Sequence, residues 1–327
     1  MQLHLHVGHG KTGSSFLQSW WALNRSALWR AANLYYPIGD SDQRAKAGAF
    51  TMGNGVLLDQ ALQVSDRPRR LRRFWKDLLR QAPEPTPKGL LFSAERWARH
   101  LPMQIEGLLR VADAGGFGQI RIWLLVRDPL DHALSVYSQM VKRHGFSGSL
   151  HDWLEIYEFP QALLSCLDAF QSRPERIALQ VDHYGHQRRS LHLRMLDWLA
   201  LPTDGPWQQA PATVNRSLSA DELLLMRWLN KRLGDRAAAV GEQLVDRLPG
   251  LAPARLQPSA DALDRFLHRW SATIDQINQR LPECAQLCWP EAGAVASLDP
   301  QPQQTLIGLL PDQLDCVLDG LIEEARR

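Results

Sequence analysis

Residues 3–18 read Leu3-His4-Leu5-His6-Val7-Gly8-His9-Gly10-Lys11-Thr12-Gly13-Ser14-Ser15-Phe16-Leu17-Gln18, a strand-like run, a glycine-bearing turn and a helix start. The chemistry of such a turn is anion binding. Glycines permit positive φ and close backbone approach, the helix N-terminus offers unpaired N–H groups, Lys11 adds a mobile charge, and Ser14 and Ser15 add hydroxyl donors. The expected ligand carries a phosphate. Gly10-Lys11-Thr12 imitates the end of a Walker A loop, but that motif needs a glycine five positions before Gly10, where this chain has Leu5. The case for ATP or GTP is weakened accordingly.

A second segment bears on the same chemistry. Arg121 to Val126 is mainly apolar and ends in Arg127-Asp128-Pro129, followed by Leu130 to Tyr137. Asp128 suits a helix N-cap and Pro129 the first helical position. Arg127 then stands at the carboxyl edge of a buried strand and Ser135 about two turns into the helix, both within reach of one anion.

Taken together, the two segments resemble the donor site of sulfotransferases. Lys11-Thr12-Gly13-Ser14-Ser15 resembles the loop that holds the 5′-phosphate of 3′-phosphoadenosine 5′-phosphosulfate (PAPS). Arg127-Asp128-Pro129, with Ser135 eight positions after the Arg and Tyr137 two further on, resembles the motif that holds the donor's 3′-phosphate. The resemblance implies a PAPS-dependent sulfotransferase that releases 3′-phosphoadenosine 5′-phosphate (PAP). Its donor would be held by Gly10, Lys11, Thr12, Gly13, Ser14, Ser15, Arg127 and Ser135. Recognisable motifs cover the first two hundred residues and rest firmly on about thirty.

Plainer readings stay open. Arg127 fits a strand-end ion pair, Asp128 an ordinary cap and Lys11 a surface charge. Leu124 to Asp128 also imitates a Walker B strand with Asp128 beside magnesium, which keeps an ATP-dependent phosphotransferase as the alternative. A non-catalytic nucleotide-binding protein is the third reading.

Sulfuryl transfer to a hydroxyl needs a base, and Glu95 in Ser93-Ala94-Glu95 falls just past a strand, on the edge where Lys11 and Arg127 should emerge. Ser-x-Glu resembles sulfotransferase branches that use Glu where cytosolic members have His. Glu95 also fits a helix-dipole carboxylate, with His100 as the substitute base. The resemblance assigns Lys11 to charge on the leaving oxygen and requires no metal. It places Tyr184 beside the adenine, although Tyr184-Gly185-His186 departs from the family's Tyr-Glu-Asp. The basic, glycine-rich 3′-phosphate loop is not recognisable in Asn215-Arg216-Ser217-Leu218-Ser219, where Arg216 and Ser217 are the substitutes.

The elements that must position these groups alternate. Strands are expected at 3–7, 89–92, 119–126 and 176–181, and helices at 14–32, 69–80, 130–144 and 190–200. The connections suit right-handed βαβ crossovers and a doubly wound parallel α/β sheet. The domain reading is a single domain over 1–327, with a donor-binding core to residue 200 and a mainly helical extension from 201. Ser219 to Glu222 reads as a capping box, and Leu314, Val317, Leu318, Leu321 and Ile322 recur at helical spacing. The loop 39–55 fits either a lid or a solvated segment.

With 45% hydrophobic and 22% charged residues among 327, the chain has an ordinary globular composition, and no apolar run approaches the ~20 residues of a membrane span. A first strand beginning almost at Met1 leads to the expectation of no signal peptide or anchor and a cytoplasmic location, unlike membrane-tethered Golgi sulfotransferases. Cys166, Cys284, Cys288 and Cys316 are too scattered for a disulfide framework, and core packing is expected of Cys284 and Cys288. His4 and His6 share a strand face and read as packed or hydrogen-bonded rather than as metal ligands. Trp20, Trp21, Trp123 and Trp228 read as core, with a sugar-lining role as the alternative. Arg67, Arg69, Arg70, Arg72, Arg73 and Lys76 read as the solvated back of a helix whose apolar stripe is Leu71, Phe74, Trp75, Leu78 and Leu79; the functional alternative is an anionic glycan, lipid head group or membrane surface. A formal charge of +2 and no recognition fold argue against nucleic acid. The acceptor is expected to be a hydroxyl compound, a carbohydrate or glycolipid.

Overall fold

The computed structural model describes residues 1–48, 51–210, 216–248, 250–290, 308 and 310–325. In chain order the elements are β1 (Gln2–Gly8), α1 (Ser14–Leu23), α2 (Arg25–Ala32), β2 (Leu34–Tyr35), α3 (Asp42–Lys46), α4 (Gly55–Leu62), α5 (Pro68–Leu79), β3 (Gly89–Ala94), α6 (Trp97–His100), α7 (Ile105–Ala114), β4 (Ile120–Val126), α8 (Pro129–Arg143), α9 (Leu150–Ile156), α10 (Phe159–Gln171), β5 (Ile177–His183), α11 (Tyr184–Gln187) and α12 (Leu191–Trp198). Helices α13 (Ala220–Leu233), α14 (Ala238–Arg247), α15 (Ala260–Asn278) and α16 (Pro311–Ala325) follow.

The five strands form one parallel sheet in the order β2-β3-β1-β4-β5. Leu3, Leu5 and Val7 of β1 and Ile120 to Val126 of β4, save Arg121, are fully buried, as strands covered on both faces require. The register pairs Val7 with Ala94, Gly8 with Leu125 and Val126 with His183. The residues that follow these strands, His9, Glu95, Arg127 and Tyr184, thus leave the sheet along one carboxyl edge.

The chain divides into two compact units that interleave along the sequence. The first comprises Met1–Arg127, Phe159–Val214 and Thr273–Leu287 and holds the whole sheet. The second comprises Asp128–Glu158, Asn215–Ala272 and Cys288–Arg327, and its described elements are helical. There the Ser219 capping box forms as expected, and Asn230 Nδ2 donates to Val141 O at 2.7 Å and Phe146 O at 2.9 Å, tying α13 to α8.

Several local expectations change. The helix expected over 14–32 breaks at Asn24, whose side chain bonds Trp20 O and also both exchanges bonds with the backbone of Gln208. The two-residue β2 is too short to leave a periodic signal. Asp128 occupies the N-cap position of α8, but its carboxylate accepts from Cys288 N at 2.7 Å rather than from the helix. Cys284 and Cys288 are exposed, not core. Trp228 is 54% exposed with the Arg232 guanidinium over its ring, and Leu314, Leu318 and Ile322 face solvent from α16. Among the described residues no helix is long and apolar enough to cross a membrane.

His4 and His6 point from β1 into tryptophan-rich packing. The His4 ring meets Trp198 edge-on, and the His6 ring lies against Trp21 and Trp123. Burial pushes both imidazoles down to about 3, and burial, aided by Arg99, pushes His9 down to about 4. The unfolded chain takes up these protons near pH 6.5 while the folded chain refuses them until far lower. Stability is therefore unaffected above 6.5 and lost as pH falls below it, by up to ~1.4 kcal/mol per pH unit for each histidine. Urea unfolding between pH 8 and pH 5 should show a plateau that breaks downward near 6.5; a flat profile contradicts neutral burial of these rings.

Candidate active site

The turn after β1 is held in an unusual backbone state. Gly10 has φ 80°, Lys11 φ 50° and Gly13 φ 86°, so three of four consecutive residues are left-handed, one of them not a glycine. Gly13 is the N-cap of α1, and no side chain caps that helix end. A Cβ on Gly13 would stand 2.6 Å from Leu191 Cδ2 and 2.9 Å from Tyr184 Cε2. An uncapped helix N-terminus of this kind suits an anion.

Two charged side chains fasten this turn through the backbone of Lys11. Its N–H donates to Glu95 Oε1 at 3.2 Å, and its carbonyl accepts from Arg127 Nη1 at 3.0 Å. Gly8 makes the approach feasible, because a Cβ there would lie 2.8 Å from Glu95 Cα and 2.7 Å from Ser14 Oγ. The Arg127 guanidinium also lies over the Tyr184 ring, 5.6 Å from its centroid. Lys11, Glu95, Arg127 and Tyr184, chosen from four separate stretches of sequence, are thus gathered at one sheet edge. A carboxylate already sits at an N–H of the turn.

The residues of the turn fit a phosphate-bearing ligand. Thr12 and Ser14 are buried, and among the described residues neither Thr12 Oγ1 nor Ser14 Oγ has a hydrogen-bond partner. Beside Gly13 opens a cleft of about 570 Å³ walled by Phe16, Trp20, Tyr184, Leu191 and Trp207, with Trp20 and Trp207 rings 5.3 Å apart. Aromatic walls beside a phosphate turn suit the flat base of a nucleotide. Phe16 and Trp207 are missed by sequence reasoning; the position of Phe16 directly after Ser14-Ser15 was the available signal.

Glu95 is braced by α4. The Asn54 side chain donates to Leu91 O at 3.0 Å and accepts from Ser93 N at 2.9 Å, extending the sheet edge where β2 has ended. Asp59 accepts from Trp97 Nε1 at 2.8 Å and Arg96 Nη2 at 3.0 Å. The residues on both sides of Glu95 are therefore anchored to one short helix. Beneath it His6 Nδ1, Ser93 Oγ, Gln18 and Thr51 form a buried polar chain with contacts of 2.8 to 3.2 Å. Within the stretch 39–55, expected as a lid or a solvated segment, Thr51, Gly53 and Asn54 are thus hydrogen-bonded into the fold, and residues 49 and 50 lie outside the described residues. His100 is exposed on α6.

Ser135 lies half-buried on α8, and with Arg216 and Ser217 it belongs to the second unit. Asn215 lies outside the described residues. Arg216 is fully committed within its own unit. Its Nη1 and Nη2 donate to the two carboxylate oxygens of Glu222 at 2.7 and 2.8 Å, a bidentate ion pair, and its remaining N–H groups donate to the carbonyls of Ser217, Leu244 and Leu248. All five donors are used, so the phosphate role foreseen for Arg216 has no donor left to perform it. Lys142 is buried, with Nζ donating to Arg216 O.

No protein-family model matches the chain, and no curated protein matches it in sequence. Among solved structures it is similar to a sulfotransferase from Alicyclobacillus acidocaldarius, with 14% identity, a TM-score of 0.42, and coverage of 84% of this chain and 94% of that one. It is also similar to the sulfotransferase domain from the curacin biosynthetic pathway, with 13% identity, a TM-score of 0.36, and coverage of 82% and 96%.

Removing Arg216 should leave Glu222, 0% exposed, without its counter-charge and, among the described residues, with only the Ser219 N–H and Gln313 Nε2 as donors. Arg216→Ala is expected to cost ~3–5 kcal/mol in denaturant unfolding. A loss of less than 1 kcal/mol would mean that the pair is not a structural one.

Proposed function

We propose that the protein transfers a sulfuryl group from PAPS to a hydroxyl of an acceptor. The observation that carries the reading is the Lys11 turn, whose backbone is fastened by Glu95 on one side and Arg127 on the other beside an aromatic cleft. PAPS supplies the activated sulfuryl group and a phosphate leaving group. The first-turn amides of α1, with Thr12, Ser14 and Ser15, hold the 5′-phosphate, and the Lys11 ammonium neutralises charge on the bridging oxygen as its bond to sulfur breaks. Phe16 and Tyr184 flank the base. Arg127 is assigned to the 3′-phosphate on its sequence pattern. The acceptor oxygen forms the new bond to sulfur in line with the one that breaks, and Glu95 takes the acceptor's proton. No step needs a metal, so turnover should persist without magnesium.

PAP should raise the melting temperature, with the logarithm of its concentration once that exceeds Kd, while ATP and GTP at equal concentration should not. Stabilisation by ATP alone, or turnover strictly dependent on magnesium, would replace this reading with phosphoryl transfer. Glu95→Gln should keep the PAP shift and lower kcat by about 10²–10⁴. Full turnover in that variant removes Glu95 as the base.

A further inference from the structure

Helix α5 concentrates positive charge in a way the fold does not require. Arg69, Arg72, Arg73, Lys76 and Arg80 recur at i, i+3, i+4, i+7 and i+11, all exposed, and form a ridge about 16 Å long. The opposite side buries Leu71, Trp75 and Leu78, and Trp75 Nε1 donates to Val111 O at 2.8 Å. Residues 66–80 carry seven basic and two acidic side chains in a chain of net charge +2. Asp77 contacts Arg73 at 3.5 Å and Arg80 at 3.4 Å; among the described residues Arg69, Arg70, Arg72 and Lys76 have no ion-pair partner.

The ridge has a direction. Ser65, just before α5, lies against Gly107 and accepts from Arg110 Nε, while Trp75 further along lies against Gly115 and donates to Val111 O, so the two helices run side by side in the same direction. Helix α7 follows Glu95 after α6, and α5 ends nine residues before β3 begins. The Pro68 end of the ridge therefore lies toward the strand-carboxyl edge that carries Glu95.

We propose that this ridge is the docking track for an acidic polysaccharide, whose residues bear repeated carboxylate or sulfate groups together with free hydroxyls, and that it guides the chain toward Glu95. The assignment deepens the sulfuryl-transfer reading and rests on it for the role of the hydroxyls. Arginine outnumbers lysine six to one across residues 67–80, which suits planar oxyanions that accept two parallel bonds. A line of charges one helix wide matches a linear polyanion better than a plane of lipid head groups. The apolar face of α5 is already buried in the core, so it has nothing to insert into a bilayer. Phe74 of α5 is half-buried with its centroid 4.9 Å from that of Trp75, so that ring is no open platform for stacking nucleic acid bases.

The test uses the full chain and a variant carrying Arg69→Gln, Arg72→Gln, Arg73→Gln and Lys76→Gln. Binding is measured to polygalacturonate, to dextran of equal length, to single-stranded oligothymidylate and to vesicles containing phosphatidylserine. The parent protein should hold polygalacturonate with an affinity that falls steeply with salt and should ignore dextran. The variant should bind it at least about tenfold more weakly while keeping the same thermal shift with PAP, which shows that its fold and donor site are intact. Equal binding by the variant, or tighter binding of vesicles or oligothymidylate than of polygalacturonate, overturns the track. A normal PAP shift without polysaccharide binding defeats the track and leaves the donor reading standing. Charge-dependent polysaccharide binding without any PAP shift defeats the donor reading and leaves the surface standing.

Discussion

The backbone of Lys11 is the point on which the rest of the sheet edge depends. A lysine at φ 50° is an uncommon conformation, costing of order 1 kcal/mol, and persists only where its surroundings over-determine it. Here the amide is held by Glu95, the carbonyl by Arg127, and the next turn by Gly13 wedged against Leu191 and Tyr184. Three strands contribute one side chain each to that restraint. The parallel register makes this feasible, because it ends β1, β3, β4 and β5 within a residue or two of one another.

Such a restraint needs its own support. Glu95 follows a strand whose outer neighbour, β2, is only two residues long, so most of the β3 edge would lack backbone partners. Asn54 fills that gap with one amide group, donating to Leu91 and accepting from Ser93 as a neighbouring strand would. Gly55 follows with no Cβ because one would lie 2.6 Å from the Ala94 Cβ. The polar chain from His6 to Thr51 then fixes the same segment from below. Neutral His6 suits this place, since burial among Trp21 and Trp123 disfavours a charged ring.

What was legible in the sequence followed from locality. The apolar runs of β1 and β4 and the glycine turn declare themselves within ten residues, because burial on both faces and positive φ each demand particular residue types. Glu95 could be placed because it directly follows such a run. The bracing by Asn54 and Asp59 was not legible: each acts on residues 37 to 39 positions away, and nothing local distinguishes a strand-mimicking Asn from a turn Asn. Arg216 misled for the same reason. A lone arginine in a polar stretch reads as available, and only the fold reveals Glu222 and three carbonyls already around it.

Arg216 and the arginines of α5 illustrate opposite uses of one residue type. A buried guanidinium must have every donor satisfied, so its geometry is fixed by the fold and removing it leaves a stranded charge. The α5 arginines contribute little of that kind. Their helix is held by Leu71, Trp75 and Leu78, and like charges three and four residues apart cost it a few tenths of a kcal/mol per pair. Asp77 offsets only part of that repulsion through exposed contacts to Arg73 and Arg80, and exposed pairs of this kind contribute little. The charge density of α5 is thus a burden on folding, carried by its apolar face. A polyanion bound along the ridge, as proposed, would relieve that repulsion.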